Sequence, residues 1–320
     1  MKMIIALAAA LAMAANAAAQ SYPSRPITLV VGFAPGGGTD TVARVMQRKL
    51  GEYLGQTIVV ENRAGAGGTI AAAVVAKADP DGYTVLLATI AALAINPHLN
   101  SKLPYKPLVD FAPISMATVS GNVLVVNPSV QAKTLAEYVK EANSKPGGMA
   151  YGTSGIGSAG NLAGELFRLT AKANLVHVPY KGGGPAMSDL LGGQIPSVFA
   201  SATTATPQVK SGKLRALGST GAKRSAALPE VPTIAEQGYP GYQATNWYAY
   251  VAPARTPKDI VARLNREIVK TLNDPETHAA ILKLGEEPTP STPEELAQHM
   301  ASEYATWGRV IKEAGIPKEQ

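Results

Sequence analysis

Twice in this chain an apolar strand runs into a glycine-rich turn that opens a helix, and this pattern restricts the fold more than any other feature. The first copy begins with PITLVVG at residues 26–32, passes through FAPGGGTD at 33–40, and continues as a predicted helix from about Thr39 to Leu54. Val42, Val45, Met46 and Leu50 share one face of that helix at the 3.6-residue period. The second copy has a strand at 148–153, the turn TSGIGSAGN at 153–161, a helix over about 159–173 and a further strand at 175–180. Strands alternating with helices at this spacing imply parallel sheets in an α/β fold. A length of 320 residues suggests two domains at roughly 100–200 residues each.

The intervening segments fit the same scheme. Residues 57–61 and 83–89 read as strands, residues 69–77 as a helix after the break at 65–68, and residues 79–82 (DPDG) as a turn. Residues 108–121 are less regular, and a new apolar run begins at 122–126. Thr134 and Glu137 form a capping box that opens a helix ending near Ser144. Thr256 is read as the N-cap of a helix with Pro257 at its first position, and Thr292 with Pro293 starts the last helix in the same way. The last helix carries an apolar face of Leu296, Met300, Tyr304, Trp307 and Ile311, so Trp307 is assigned to the core.

The two turns carry the chemistry. A helix N-terminus presents unpaired N–H groups and the positive end of the helix dipole. Glycine removes the Cβ atoms that would hold a ligand away from those groups. Gly36, Gly37, Gly38 and Thr39 therefore form a backbone anion site, and Asp40 either orients that turn or pairs with a polar group on the ligand. In the second turn Thr153, Ser154, Gly155, Gly157, Ser158 and Asn161 offer hydroxyl, amide and backbone donors. Gly155, Gly157 and Gly160 also match the G-x-G-x-x-G dinucleotide fingerprint. The acid that should follow about 20 residues later is missing, because the next strand runs into Tyr180 and Lys181. A nucleophile elbow fails because Ile156 stands where G-x-S-x-G needs its last glycine.

The chain has no cysteine, and its four histidines (His98, His177, His278 and His299) show no metal-ligand spacing, so no metal and no cofactor is expected. The net charge of +6 is dispersed, which argues against a nucleic-acid partner and suits a small anionic ligand. Lys2, the apolar run at 4–15 and Ala17-Ala18-Ala19 predict an export signal cleaved after Ala19, placing the mature protein in the periplasm.

The stretches at 22–40, 58–89, 178–195 and 212–242, in this order, resemble the Bug (TctC-like) family of extracytoplasmic solute receptors of tripartite tricarboxylate transporters. The resemblance covers essentially the whole mature chain. It implies a type II periplasmic binding protein with two α/β lobes, residues 20–121 with 245–320 and residues 122–244, joined by crossing strands near 120–124 and 244–248. It further implies a non-catalytic receptor, expected to be a monomer, that closes two glycine turns on a small carboxylate and delivers it to membrane transporter subunits. A sensor feeding a signalling partner is the alternative, and an exported dinucleotide-dependent enzyme is the distant one. The family usually has histidine where this chain has Asn161. Thr89, Ala91, Tyr180, Ser201 and the pair Asn246-Trp247 are expected to face the cleft, with Tyr180 and Trp247 as an aromatic wall.

Overall fold

The computed structural model describes residues 22–313. The predicted export signal at 1–19 lies outside the described residues. Strands β1 (Ile27–Val31), β2 (Ile58–Asn62) and β3 (Thr84–Thr89) pair in parallel in the order β2-β1-β3. Helix α1 (Gly38–Leu54) joins β1 to β2, and α2 (Thr69–Ala76) joins β2 to β3. A single π turn (Ala91–Ile95) and the short α3 (Asn96–Leu99) follow β3. A second parallel group contains β5 (Met149–Thr153), β6 (Leu175–Pro179) and β7 (Ser197–Ser201), with β5 in the middle. Its helices are α4 (Leu135–Ser144) before β5, α5 (Ala159–Thr170), α6 (Gly183–Leu191) and α7 (Ala202–Lys210).

Antiparallel strands, which the spacing argument did not anticipate, join the two groups. β4 (Phe111–Val126) pairs with β9 (Thr245–Pro253) along Phe111 to Gly121, then with β7 from Asn122 to Val126 and with β8 (Arg215–Ser219) from Val123 to Val126. The partner of β4 thus changes between Gly121 and Asn122. The sequence places a break there because the first part of β4 lacks clean alternation. Its register shifts twice against β9, between Pro113 and Ser115 and between Met116 and Thr118. Its buried Ser115, Thr118 and Ser120 are polar but satisfied. Ser115 Oγ accepts from Ser291 N and donates to Met116 O, and the other two hydroxyls donate to Glu286. Such a strand buries hydrogen-bonded polarity and does not read as a hydrophobic run.

The last segment returns to the first group through α8 (Lys258–Leu272), α9 (Pro275–Lys283), β10 (Glu287–Pro288) and α10 (Pro293–Glu313). Capping boxes form at Thr134 with Glu137 and at Thr292 with Glu295. Thr256 does not cap α8, because its hydroxyl donates to Pro253 O; Pro257 immediately precedes the helix. Neighbouring residues on one strand serve opposite faces of the sheet, as the period of two requires. Leu86 and Trp247 pack with Leu296, Met300 and Trp307 on one face, while Leu87 and Tyr248 pack with Met46 and Ile268 on the other. The second group has its own pair of cores, one around Tyr138, Tyr151, Phe167 and Phe199 and one around Leu190 and Val198.

Glu286 is the sharpest electrostatic feature of this frame. It is 1 % exposed and accepts from Thr118 Oγ1 at 2.8 Å and Ser120 Oγ at 3.0 Å. Burial pushes its carboxyl up to about 7, against which the two hydroxyls act only in part. The folded state therefore holds a proton that the unfolded chain has lost, and stability falls as pH rises from the ordinary glutamate value towards 7. Glu286→Gln should raise stability at pH 8 by on the order of 3 kcal/mol at most and leave it nearly unchanged in acid. Denaturant unfolding at the two pH values checks this.

Candidate ligand-binding site

Between the two strand groups lies a cavity of about 520 Å³, counting its open mouth. Four helices begin on its wall. Gly38 and Thr39 come from α1, Ser158, Ala159 and Gly160 from α5, Gly183 from α6, and Ser201 is the N-cap of α7. They converge because each group's parallel strands deliver their carboxyl ends to one edge, where the following helices start, and the two groups run in opposite senses so that these edges face each other. Among the described residues, no charged side chain lines the wall. Each helix N-terminus acts as roughly half a positive charge, so the field inside is positive although the lining is neutral.

Polar side chains complete the wall. Thr89 Oγ1 and Asn122 Nδ2 are buried and have no hydrogen-bond partner. Asn246 Nδ2 donates to Tyr248 OH at 3.1 Å, and Ser201 Oγ lies 2.9 Å from Thr203 Oγ1 and 3.0 Å from Thr204 Oγ1. Burial pushes the Tyr248 phenol well above its usual range, so it remains protonated. A Cβ on Gly38 would stand 2.6 Å from Ser201 Oγ, Thr203 Oγ1 and Tyr248 OH. This glycine is therefore a spatial necessity.

Asp40 orients the first turn. Its Oδ2 accepts from Gly36 N at 2.9 Å and Arg44 Nε at 3.0 Å, and its Oδ1 accepts from Asn62 Nδ2 at 2.9 Å. Both oxygens are thus used outside the cavity. In the second turn the Ser158 hydroxyl caps α5 by accepting from Asn161 N, and Asn161 Oδ1 accepts from Gly157 N at 3.0 Å. Gly160 presses against β7, where a Cβ would collide with Phe199 O.

The sequence profile of the tripartite tricarboxylate transporter family receptors (TctC) matches residues 42–316. The chain belongs to this family. It is 40% identical to Protein BugT of Bordetella pertussis over 304 residues, covering 95% of this chain and 93% of that one. Three solved structures superpose closely. The periplasmic binding protein BugD is 35% identical with a TM-score of 0.90, covering 93% of this chain and 100% of that one. A Rhodopseudomonas palustris protein solved with adipate is 36% identical with a TM-score of 0.90 and the same coverage. MatC of Rhodopseudomonas palustris, solved with malate, is 34% identical with a TM-score of 0.86, covering 91% and 100%. The fold is accordingly that of a type II periplasmic binding protein, and the chain is a receptor, not an enzyme.

Within this receptor fold the sequence-derived residues separate into groups. Gly38, Thr39, Thr89, Ala91, Ser154, Ser158 and Ser201 lie on the cavity wall. Gly37, Asp40, Thr153, Gly157 and Asn161 shape the turns behind it, and Gly36 faces a separate outer depression with Thr41 and Pro185. Gly155 and Tyr180 line an adjoining depression near the mouth, where Tyr180 OH donates to Asp189 Oδ2 at 2.7 Å. The expectation that Trp247 faces the cleft is corrected. Its ring is 1 % exposed, packs edge-on to His299, and donates from Nε1 to Glu303. The phase of β9 instead sends Asn246 and Tyr248 into the cavity.

Sequence reasoning also missed Phe33, Asn122 and Gly183 on the wall. Gly183 belongs to a third glycine run, residues 182–184, which meets the first turn across the cleft. Ala34 N donates to Lys181 O at 3.3 Å, and a Cβ on Gly184 would come within 2.8 Å of Pro35 O. The run GGG was visible in the sequence, but nothing local indicated what it would touch.

The Asp40 bonds yield a test. Burial alone would raise this carboxyl, but Arg44, Gly36 N and Asn62 together hold it below its ordinary value. Its contribution is present at neutral pH and is lost as pH falls through the depressed folded value. Asp40→Asn should cost about 1–3 kcal/mol at pH 7, and the gap to wild type should close in strong acid, as followed by thermal unfolding.

Proposed function

We propose that this chain is a periplasmic receptor that clamps a small carboxylate between the turn entering α1 and the turn entering α5, then presents it to a tripartite tricarboxylate transporter. The observation that carries this reading is the neutral cavity under four helix N-termini, with the spare donors Thr89 and Asn122 on its wall. An anion gains there without a buried countercharge. A cationic ligand would meet four positive dipole ends and no acidic side chain on the wall. The adipate and malate held by two relatives fit this chemistry.

The two strand groups are then lobes, residues 20–121 with 245–320 and residues 122–244, hinged where β4 changes partners and where the chain re-enters β9. Closure brings the second set of donors to the same carboxylate and excludes water, which strengthens both sets. The closed shape is what the membrane subunits would read. Export is supported by the signal-like N-terminus, and no described helix is long and apolar enough to cross a membrane.

Titration calorimetry with adipate, malate and other carboxylates tests the reading, using protein refolded to remove carried ligand. Stoichiometric binding without turnover is expected. Asn122→Asp should weaken that binding at least about a hundredfold, since one buried like charge costs several kcal/mol. Binding of nicotinamide nucleotides alone, or undiminished carboxylate affinity in the variant, would refute the assignment.

A further inference from the structure

His177, on β6, lies behind the second glycine turn and does not line the cavity. Its ring bridges two residues that shape the turn. Nε2 lies 2.7 Å from Thr153 Oγ1, and Nδ1 lies 3.3 Å from Asn161 Nδ2. Each partner holds a turn amide in turn. Thr153 Oγ1 accepts from Gly155 N at 3.2 Å and donates to Gly155 O, while Asn161 Oδ1 accepts from Gly157 N at 3.0 Å.

Only one protonation state satisfies all of these contacts. The Asn161 amide must donate to Nδ1 because its oxygen is already taken by Gly157 N–H. Nδ1 is therefore unprotonated, the proton resides on Nε2, and it donates to Thr153 Oγ1. The Thr153 oxygen then accepts from His177 and Gly155 N and donates its own hydrogen to Gly155 O. A second ring proton on Nδ1 would face the Asn161 NH₂ group, donor against donor. Flipping the Asn161 amide would relieve that contact but would turn NH₂ onto Gly157 N–H. The imidazolium is incompatible with the turn in either orientation.

We propose that His177 is a positioning residue for ligand capture: its neutral imidazole holds Thr153 and Asn161 so that the second turn keeps its anion-binding shape, and its protonation releases that turn. This rests on the carboxylate-receptor reading above for its functional consequence but not for its structural content. Tyr151, on the adjacent β5, lies with its ring 5.1 Å away and donates to Glu165 on α5, which is also paired with Arg168. Burial disfavours the charged ring, while the Glu165 charge acts in the opposite sense and is the weaker influence. The neutral form therefore prevails at neutral pH. Ligand affinity should be constant there and fall as pH drops through the His177 midpoint, by at most about tenfold per pH unit for one proton.

The experiment uses the Glu286→Gln background, which removes the carboxyl raised to about 7, and follows the ¹⁵N-labelled, ligand-free protein by NMR from about pH 7.5 down to a pH at which the His177 ring has taken up its proton. The Gly155 and Gly157 amides and the Asn161 side-chain amide should shift together with the His177 ring. In His177→Gln, which retains a donor and an acceptor without titrating, those shifts should vanish. Glycine amides that stay still while His177 titrates, or that titrate equally in His177→Gln, would overturn the proposal. Adipate and malate titrations at both pH values, on both proteins, then read the consequence. Acid-weakened binding in wild type and pH-independent binding in His177→Gln is the expected pattern, and equal pH dependence in the two proteins sinks the functional half. If neither acid binds at any pH, the carboxylate reading is what has failed, and the ligand-free amide shifts still decide the brace.

Discussion

An anion can leave water for a protein interior only if something there replaces its hydration, and in the proposed binding mode that task falls to helix N-termini. The neutral cavity wall makes this the governing constraint. Four helices must start at one place, so four strands must end there, β1 from one group and β5, β6 and β7 from the other running in the opposite sense, and their turns must be stripped of Cβ atoms wherever they approach each other or the ligand. The parallel flanks of the sheet, the glycine runs and the inward-facing hydroxyls all follow from this single requirement. A lysine or arginine in the cavity would have relaxed it, but would also have added a buried charge in need of compensation whenever the site is empty.

The same requirement explains the polar centre of the fold. Two groups of parallel strands must be held with their carboxyl ends facing each other, and antiparallel β4 and β9 accomplish this by running through the join. A strand at that join is buried on both faces yet carries Ser115, Thr118, Ser120 and Asn122. All but Asn122 satisfy their side chains within the protein: Ser115 with Met116 O and the Ser291 segment, the other two with Glu286. Asn122 keeps a free Nδ2 because it is the first residue beyond the partner change and turns towards the cavity. Polarity that reads as irregular along the sequence is thus structural on one side of the join and available to a ligand on the other.

The second turn shows how supporting contacts extend beyond the wall. Its G-x-G-x-x-G spacing is shared with dinucleotide sites because both need a tight turn and a helix seated closely on a strand, and Gly160 against Phe199 O supplies the latter here. The spacing therefore reports geometry and not ligand. What distinguishes this turn is the set of side chains behind it, Thr153, Asn161 and His177, which hold two of its amides at fixed positions.

The sequence by itself determined the strand-turn-helix units, the capping box at Thr134 and Glu137, the turn chemistry at residues 36–40 and 153–161, and the family resemblance. These are local properties, set by residue period, glycine placement and hydrogen bonds spanning a few positions. Tertiary structure alone decided which face of β9 meets the cavity. A run such as TNWYAY is apolar on both faces of a buried strand, so its composition does not give its phase, and Trp247 went to the core while Tyr248 went to the site. Tertiary structure likewise placed Asn122, Gly183 and His177, whose partners lie far along the chain or across the cleft. The physical reason is the same in each case: a side chain's role at this site depends on what stands opposite it, and that neighbour is supplied by another part of the fold.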